Sequence, residues 1–473
     1  APFIHVEAND TYARLREKAE QGYFEKLVQT YLIDNPHKSL VILKPKKGMA
    51  QEQEEALKAQ LAERKAGMSR EELEEIIARQ QALTAYQEQE GSKEDLARIP
   101  MLAREDIGRE ARKLINEETR IADLPALRHT LFTNGIAYIR LVFSLDQIPE
   151  RLYPYVGILS ACLGLLNTAN YSYGELSNEI DLNTGGIGTA NNIYGNVENT
   201  DEYRATLDLK TKVLYANIDK AMELLQEIAM ASDFTDEKRL LEIVSEGQSQ
   251  MQSQMAARGD QTALNRALAY GSVSGAVSET LSGIPYFRLL SRIQANFEEE
   301  KGALIKALQE LTVMIFRREN LMVDYVGADE GWEKLKAATE RFVGALYTDP
   351  VDTGSFRPVP QRKQEGFMTA GQVLYVCRAG NFKKKGLPYK GTLRFLQVMM
   401  RYEYLWINLR VKGGAYGCQC SFGRSGESGF TSYRDPNLKN TVEVYEKAAE
   451  TVENFTADER TMTQYIIGAV SDM

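Results

Sequence analysis

The stretch "YGELSNEIDLNTGGIGT", beginning at Tyr173, is answered far along the chain by "YEYLWINLRVKGGAYGC", beginning at Tyr402. One inserted residue keeps Gly185-Gly186 in register with Gly413-Gly414. The likeness extends to both sides. A strand-like run precedes each stretch, and further strands and an amphipathic helix follow it. "DFTDEKRLLEIV" then answers "NFTADERTMTQYI". A repeat of this length constrains the fold more than any single motif. Both copies must build the same unit, burying one face of their strands under their own helices. The expected class is α+β, with two homologous modules of helices packed on mainly antiparallel sheets.

The first copy shows the pattern more fully. Ile136, Tyr138, Arg140, Val142 and Ser144 alternate with Ala137, Ile139, Leu141, Phe143 and Leu145. That period of two belongs to a strand buried largely on one face. Asn134-Gly135 just before it reads as a hairpin turn between two apolar runs. Helices are expected from Pro154 to Asn167 and from Tyr173 to Leu182, and strands from Ile187 to about Lys212. Thr235 is the expected N-cap of a later helix, and a helical tail runs from Leu264 to Thr348. In the second copy, Ala370 to Phe382 is strand-like. Thr392 to Arg410 is a helix, apolar nearly all round and so expected to be buried. Strands run from Tyr416 to about Tyr433, and Thr456 with Glu459 forms a capping box ahead of the last helix.

Upstream, the chain reads as a helix, a turn at Asp34-Asn35-Pro36-His37 and a short strand from Ser39 to Leu43. From Ala50 the sequence is rich in Glu, Gln, Lys, Ala and Leu, with Leu57, Leu61, Leu73, Ile76 and Ile77 at helical spacing. Gly67-Met68-Ser69 divides this run, and Ser69 with Glu72 forms a capping box. The domains are therefore expected at 1–48 (the tail of a preceding module), 49–118 (a charged helical hairpin acting as linker), 119–349 (one module) and 350–473 (a second, truncated at its end). The chain lacks a starting Met and stops just after an amphipathic pattern, so both ends are expected to be cut.

Composition narrows the function. The formal net charge of −9 argues against a general nucleic-acid binder. Lys383-Lys384-Lys385 is read as a solvated loop. Four cysteines in 473 residues make no disulfide framework, and Cys162, Cys377, Cys418 and Cys420 are expected to be reduced and buried. The longest apolar run, Tyr155 to Leu166, falls short of the ~20 residues that cross a bilayer. No basic stretch precedes an apolar one near residue 1, so no signal peptide is visible. No membrane partner and a cytoplasmic location are the resulting expectations.

The run "LRVKGGAYGCQCSF", Leu409 to Phe422, carries the most chemistry. Its glycines follow a helix and open a strand, whereas a phosphate-binding loop follows a strand and opens a helix. They belong at a helix C-terminus instead. Cys418 and Cys420 fall on one face of a strand, not at the C-x2-C spacing of structural zinc sites. His5, His37 and His129 are the only histidines, and no two of them form an H-x-x-E-H or H-E-x-x-H pair. A histidine zinc site is not encoded here, and a Ser-His-Asp hydrolase would rest on His129 alone. Arg410 and Tyr416 remain. They are either a C-capping arginine and a half-buried tyrosine, or a pair turned toward one cleft. In the second case Arg410 holds a peptide carbonyl and Tyr416 donates to a developing oxyanion. Asp181 and Ile187 stand at roughly the same places in the first copy, so the pair belongs to one copy only.

"SYGELSNEIDLNTGGI" and "LRVKGGAYG" resemble second-half motifs of the pitrilysin/insulysin-type zinc metallopeptidases, above all the presequence-protease branch. "DNPHKSLVILKPKKG" is similar to the end of that family's first half, and the resemblance covers nearly the whole chain. It implies four homologous modules in two halves that close around a peptide, with this chain supplying the third and fourth. It implies zinc on an inverted motif in the missing N-terminal half, and a substrate-binding Arg and Tyr here at Arg410 and Tyr416. The motif helix of the third module reads "YVGILSACLGLLN" and carries neither His nor Glu. The chain alone is thus expected to hold no metal or other cofactor and to be inactive. Its expected partners are the N-terminal catalytic half and unstructured peptides. The alternative is a catalytically dead homologue serving as scaffold or partner subunit; a helical adaptor working through residues 50–118 is a third possibility.

Overall fold

The computed structural model describes residues 3, 5–89, 91–108, 110, 113–369 and 371–471. The chain divides into two compact units, Ala1–Pro100 and Met101–Met473.

The first unit is helical. Ala8–Ala19 and Tyr23–Val28 form helices, the second running into a π-helical turn at Gln29–Ile33. Met49–Ala66 and Arg70–Glu88 are the two long charged helices. The capping box forms as the sequence predicts: Glu72 N–H donates to Ser69 Oγ at 3.2 Å, and Ser69 N–H donates to Glu72 Oε2 at 2.8 Å. None of the unit's described residues is buried. The strand expected at Ser39–Leu43 does not form. A strand needs a neighbour for its backbone groups, and this segment pairs with none of the described residues, leaving Leu40 and Leu43 86% and 91% exposed.

The second unit holds two sheets. The larger has six strands in the order β1-β2-β6-β3-β5-β4. These are β1 (Glu117–Ile121), β2 (Leu124–Thr130), β3 (Ile136–Ser144), β4 (Ile187–Gly195), β5 (Tyr203–Leu214) and β6 (Leu321–Gly327). The smaller sheet is β7-β9-β8, built from β7 (Cys377–Asn381), β8 (Gly417–Phe422) and β9 (Glu427–Tyr433). Ala370, where the sequence pattern starts the last module's first strand, lies outside the described residues.

The alternation along β3 holds. Ala137, Ile139, Leu141 and Phe143 are buried, while Tyr138 is 44% exposed. Helices Val156–Cys162, Ile218–Met230, Phe297–Ile315 and Asp329–Gly344 contribute to the core that covers the buried face. The hairpin expected at Asn134-Gly135 does not form. The turn itself is present, with φ of 52° and 81° at the two residues. However, β2 and β3 do not pair with each other; both pair with β6, β2 in parallel and β3 antiparallel. The supposed helical tail from Leu264 to Thr348 therefore contains a strand, and Val323 and Tyr325 are fully buried within it. The apolar helix is also shorter than expected, a 3₁₀ turn at Tyr153–Tyr155 and then Val156–Cys162. Gly164, with φ of 85°, lies just beyond its end.

The repeat is visible in the strand pairings. β3-β5-β4 and β7-β9-β8 share one antiparallel arrangement. In both copies a helix leads to a glycine pair whose second member has positive φ, 108° at Gly186 and 79° at Gly414. The N-caps shift alike from the expected threonines. Asp236 Oδ1 accepts from Arg239 N–H at 3.0 Å, and Asp458 Oδ1 accepts from Thr461 N–H at 2.8 Å. The second module has its own core, including Val398, Met399, Leu405, Leu409, Cys418, Cys420, Tyr445 and Tyr465. Its leading helix, Thr392–Met399, continues as a π-helix over Met400–Val411. That helix is not buried all round as expected: Tyr402 and Trp406 are 52% and 39% exposed.

Candidate functional site

Arg410 lies at the end of the π-helical segment, and Tyr416 lies just before β8, with the Gly413-Gly414 corner between them. The backbone fixes that corner. Ala415 N–H donates to the Leu409 carbonyl at 2.9 Å and Gly414 N–H to the Arg410 carbonyl at 3.2 Å. Tyr416 N–H then joins the sheet through the Tyr433 carbonyl at 2.9 Å. Gly413 is packed so tightly that a Cβ there would sit 2.6 Å from the Leu409 carbonyl oxygen. The corner is steric as well as conformational.

The structure brings Arg410 and Tyr416 together. The guanidinium carbon lies 5.0 Å from the centroid of the Tyr416 ring and 4.6 Å from that of Trp406. Its Nη1 donates to the Tyr416 backbone carbonyl. Two aromatic faces and a carbonyl thus restrict where the cation can point. That hydrogen bond crosses the corner to the residue that opens the sheet, not to a carbonyl of the helix that carries Arg410. Arg410 forms no ion pair among the described residues. Tyr416 is 66% exposed, and its hydroxyl has no hydrogen bond among the described residues. Tyr416 meets Tyr433 edge-on, with centroids 6.0 Å apart, and Tyr433 meets Tyr375 at 5.5 Å. Tyr433 and Tyr375 are anchored in turn by hydroxyl bonds to the carbonyls of Ala257 and Ala256, at 3.1 and 2.7 Å. Trp406 escaped the sequence reading. The signal was there, since Trp406 and Arg410 are four apart on a helix and so lie on one face.

The other chemical candidates resolve into packing. Cys418 and Cys420 are buried, and burial pushes their thiols up to about 11 and about 12. Cys420 Sγ lies 3.2 Å from the Gln397 carbonyl oxygen. Among the described residues no cluster of three or more His, Cys, Asp or Glu is arranged to hold a metal ion. Helix Val156–Cys162, which would carry a zinc motif, offers only the buried Cys162 as a donor of that kind. The described residues therefore do not fit zinc. His129 has its Nδ1 2.6 Å from the Ile115 carbonyl and its Nε2 3.3 Å from Asp324 Oδ1. Its polar neighbours are a backbone carbonyl and an aspartate, and no serine hydroxyl among the described residues bonds to it. No helix among the described residues is long and apolar enough to cross a membrane.

A helix-on-sheet module occurs twice, and one copy alone bears an exposed Arg–Tyr pair at its glycine corner. The family model for the region associated with M16 peptidases of subfamily C matches residues 43–293, and that of the PreP C-terminal domain matches residues 364–473. Protein HypA of Clostridium perfringens is 35% identical over 99% of this chain and 48% of its own length. Presequence protease 1, chloroplastic/mitochondrial, of Arabidopsis thaliana is 26% identical over 97% of this chain and 43% of its own. The chain spans about half the length of these curated relatives. A solved structure described as a peptidase M16 inactive domain, from Pseudomonas fluorescens, superposes with a TM-score of 0.50 at 14% identity, covering 76% of this chain and 85% of that one. A conserved protein from Enterococcus faecalis gives 0.51 at 13%, covering 74% and 83%. The chain belongs to the M16 peptidase family, and corresponds to the C-terminal half of a member of its presequence-protease branch.

Proposed function

We propose that this chain is the substrate-binding half of a zinc-dependent oligopeptidase that encloses unstructured peptides. Arg410 and Tyr416 are its contacts with the peptide bond under attack. The observation that carries the reading is the free Tyr416 hydroxyl on an exposed residue, beside an arginine oriented by Trp406, Tyr416 and the glycine corner. Held in this way, Arg410 has N–H groups left for a substrate carbonyl. The Tyr416 hydroxyl is a donor for the oxyanion that forms when that carbonyl is attacked. The zinc and the general base would come from an N-terminal catalytic half, and the chain alone would cleave nothing.

The test is Tyr416→Phe in the polypeptide that joins this chain to its zinc-bearing half. Removing one oxyanion donor lowers kcat by about 10²–10³ where such a donor acts in the transition state. Zinc content should stay at the wild-type level. Unaltered turnover would remove Tyr416 from the mechanism. An upstream sequence without H-x-x-E-H would overturn the whole reading in favour of a catalytically dead scaffold.

A further inference from the structure

The glycine corner of the first module has a cavity of its own, and no step above uses it. It measures about 490 Å³ and is lined by Tyr138, Arg140, Gly186, Lys210, Lys212 and Asp324, among others. It lies on the sheet face turned away from the helices, because Tyr138 and Arg140 alternate with the buried Ala137, Ile139 and Leu141. Register sets Lys212 beside Tyr138, and Lys210 and Asp324 on either side of Arg140.

The charges there are unequally matched. Arg140 is held between two carboxylates, 3.0 Å from Asp324 and 3.7 Å from Asp208. Asp208 is further engaged by Thr206 and Asn192, each at 2.7 Å. Lys210 and Lys212 differ. They project from one strand, two residues apart and hence on the same face, and both are exposed. Neither ammonium makes a hydrogen bond or ion pair among the described residues. Three cations, Arg140, Lys210 and Lys212, stand against two carboxylates, Asp208 and Asp324, which both engage Arg140, and Lys210 acts on Asp208 through space, so one net positive charge is left facing the cavity. Three glycines, Gly185, Gly186 and Gly188, line it with backbone alone, beside Ile187. Gly185 lies directly beneath Lys212, where a Cβ would sit 2.7 Å from the lysine's Cγ and Cε. Glycine is what lets this lysine lie along the corner.

We propose that this cavity is a second peptide subsite, binding a carboxylate of an extended peptide through Lys210 and Lys212. It would be the first module's counterpart of the Arg410–Tyr416 corner. The inference deepens the peptide-binding reading above and rests on it. A terminal carboxylate and an acidic side chain offer the same chemistry, so the test separates them.

The full 473-residue chain is titrated into three peptides of one sequence, each carrying a neutral coumarin at its N-terminus, with anisotropy as the readout. One ends in a free carboxylate, one is amidated with an internal Glu, and one is amidated with Gln in its place. Wild type should bind at least one acidic peptide roughly three- to tenfold more tightly than the neutral one, the range two partly exposed ion pairs supply. That preference should shrink with added salt. The Lys210→Met/Lys212→Met variant should lose the preference and keep the wild-type affinity for the neutral peptide, with its near-ultraviolet circular dichroism unchanged. Equal binding of all three peptides by wild type would overturn the proposal, as would a preference that survives in the variant. Arg410→Ala separates the two readings: it should weaken all three peptides and leave the acid preference intact. Neutral-peptide binding that ignores Arg410→Ala would count against the Arg410 role alone.

Discussion

Gly413 and Gly414 are adjacent, yet their replacement by alanine should fail for different reasons and by different amounts. Gly414 has φ of 79°, and a Cβ there would meet only Pro436 Cγ, at 3.5 Å. Gly414→Ala therefore costs only backbone strain, about 1–2 kcal/mol for an L-residue in the left-handed region. Gly413 needs no positive φ, but its Cβ would stand 2.6 Å from the Leu409 carbonyl oxygen and 2.9 Å from that of Asn408. The Leu409 carbonyl already accepts the Ala415 N–H. Relieving the clash means moving backbone and weakening that bond. Overpacking costs about 1–3 kcal/mol and a net hydrogen bond about 1 kcal/mol, so about 2–4 kcal/mol is expected. The chain has two tryptophans, Trp332 in the first module's core and the partly exposed Trp406 on the leading helix of the second module. A Trp332→Phe background makes Trp406 the reporter of the second module's melting. At about 4 °C per kcal/mol for a body of this size, Gly413→Ala should lower that midpoint by about 8–16 °C and Gly414→Ala by about 4–8 °C. A Gly413→Ala midpoint at or above that of Gly414→Ala would refute the steric account of the corner.

Two further outcomes concern titratable groups, one set shifted by burial and one by its hydrogen bonds. Burial pushes Cys162, Cys377 and Cys420 up to about 12 and Cys418 up to about 11. At pH 8 the native chain should react with a thiol reagent at a small fraction of the rate seen in denaturant; rapid native reaction at any of these positions would contradict the packing described. Glu365 accepts from Arg266 Nε at 2.8 Å and from the Tyr270 hydroxyl, and the Arg266 guanidinium holds its carboxyl down to about 2. A depressed carboxyl stabilises the fold above its unfolded value near 4.5 and loses that contribution as pH falls toward 2. Glu365→Gln should accordingly lower the melting midpoint at pH 6, and its deficit should close between about pH 4.5 and 2. A deficit that stays constant with pH would assign the loss to packing instead.

The legible parts of this fold are those that local spacing controls. The alternation along Ile136 to Leu145, the Ser69–Glu72 capping box and the glycine corners all depend on neighbours within a few residues. What stayed hidden was partnership at long range. Asn134-Gly135 encodes its turn faithfully, but nothing nearby announces that Leu321–Gly327 will enter between the strands it joins. That strand is seven residues with a buried-partly-buried alternation, set directly after a long amphipathic helix, and its short apolar run fits either period. Trp406 was misplaced for a related reason. An apolar surround suggests burial, yet a side chain can be exposed when its ring face is taken by a cation, here Arg410.

The repeat explains why chemistry can differ between copies while backbone does not. In each module a helix must stop and hand its chain to a strand, and the glycine pair does this with the same φ pattern at its second member. Side chains flanking the corner can diverge, because its backbone hydrogen bonds, from Gly414 and Ala415, do not depend on them. One copy places Arg410 and Tyr416 there; the other places Asp181 and Ile187 and sets Lys210 and Lys212 on the adjoining strand. Exchanging the flanking residues should therefore be far cheaper than altering the glycines. Tyr416→Ile, which installs the first copy's residue, should leave the Trp406-reported midpoint within about 1–2 °C, since an exposed side chain away from caps and cores changes stability by less than about 0.5 kcal/mol. A drop comparable to that of Gly413→Ala would mean that Tyr416 is part of what holds the corner, and that its exposure is not the mark of a contact surface.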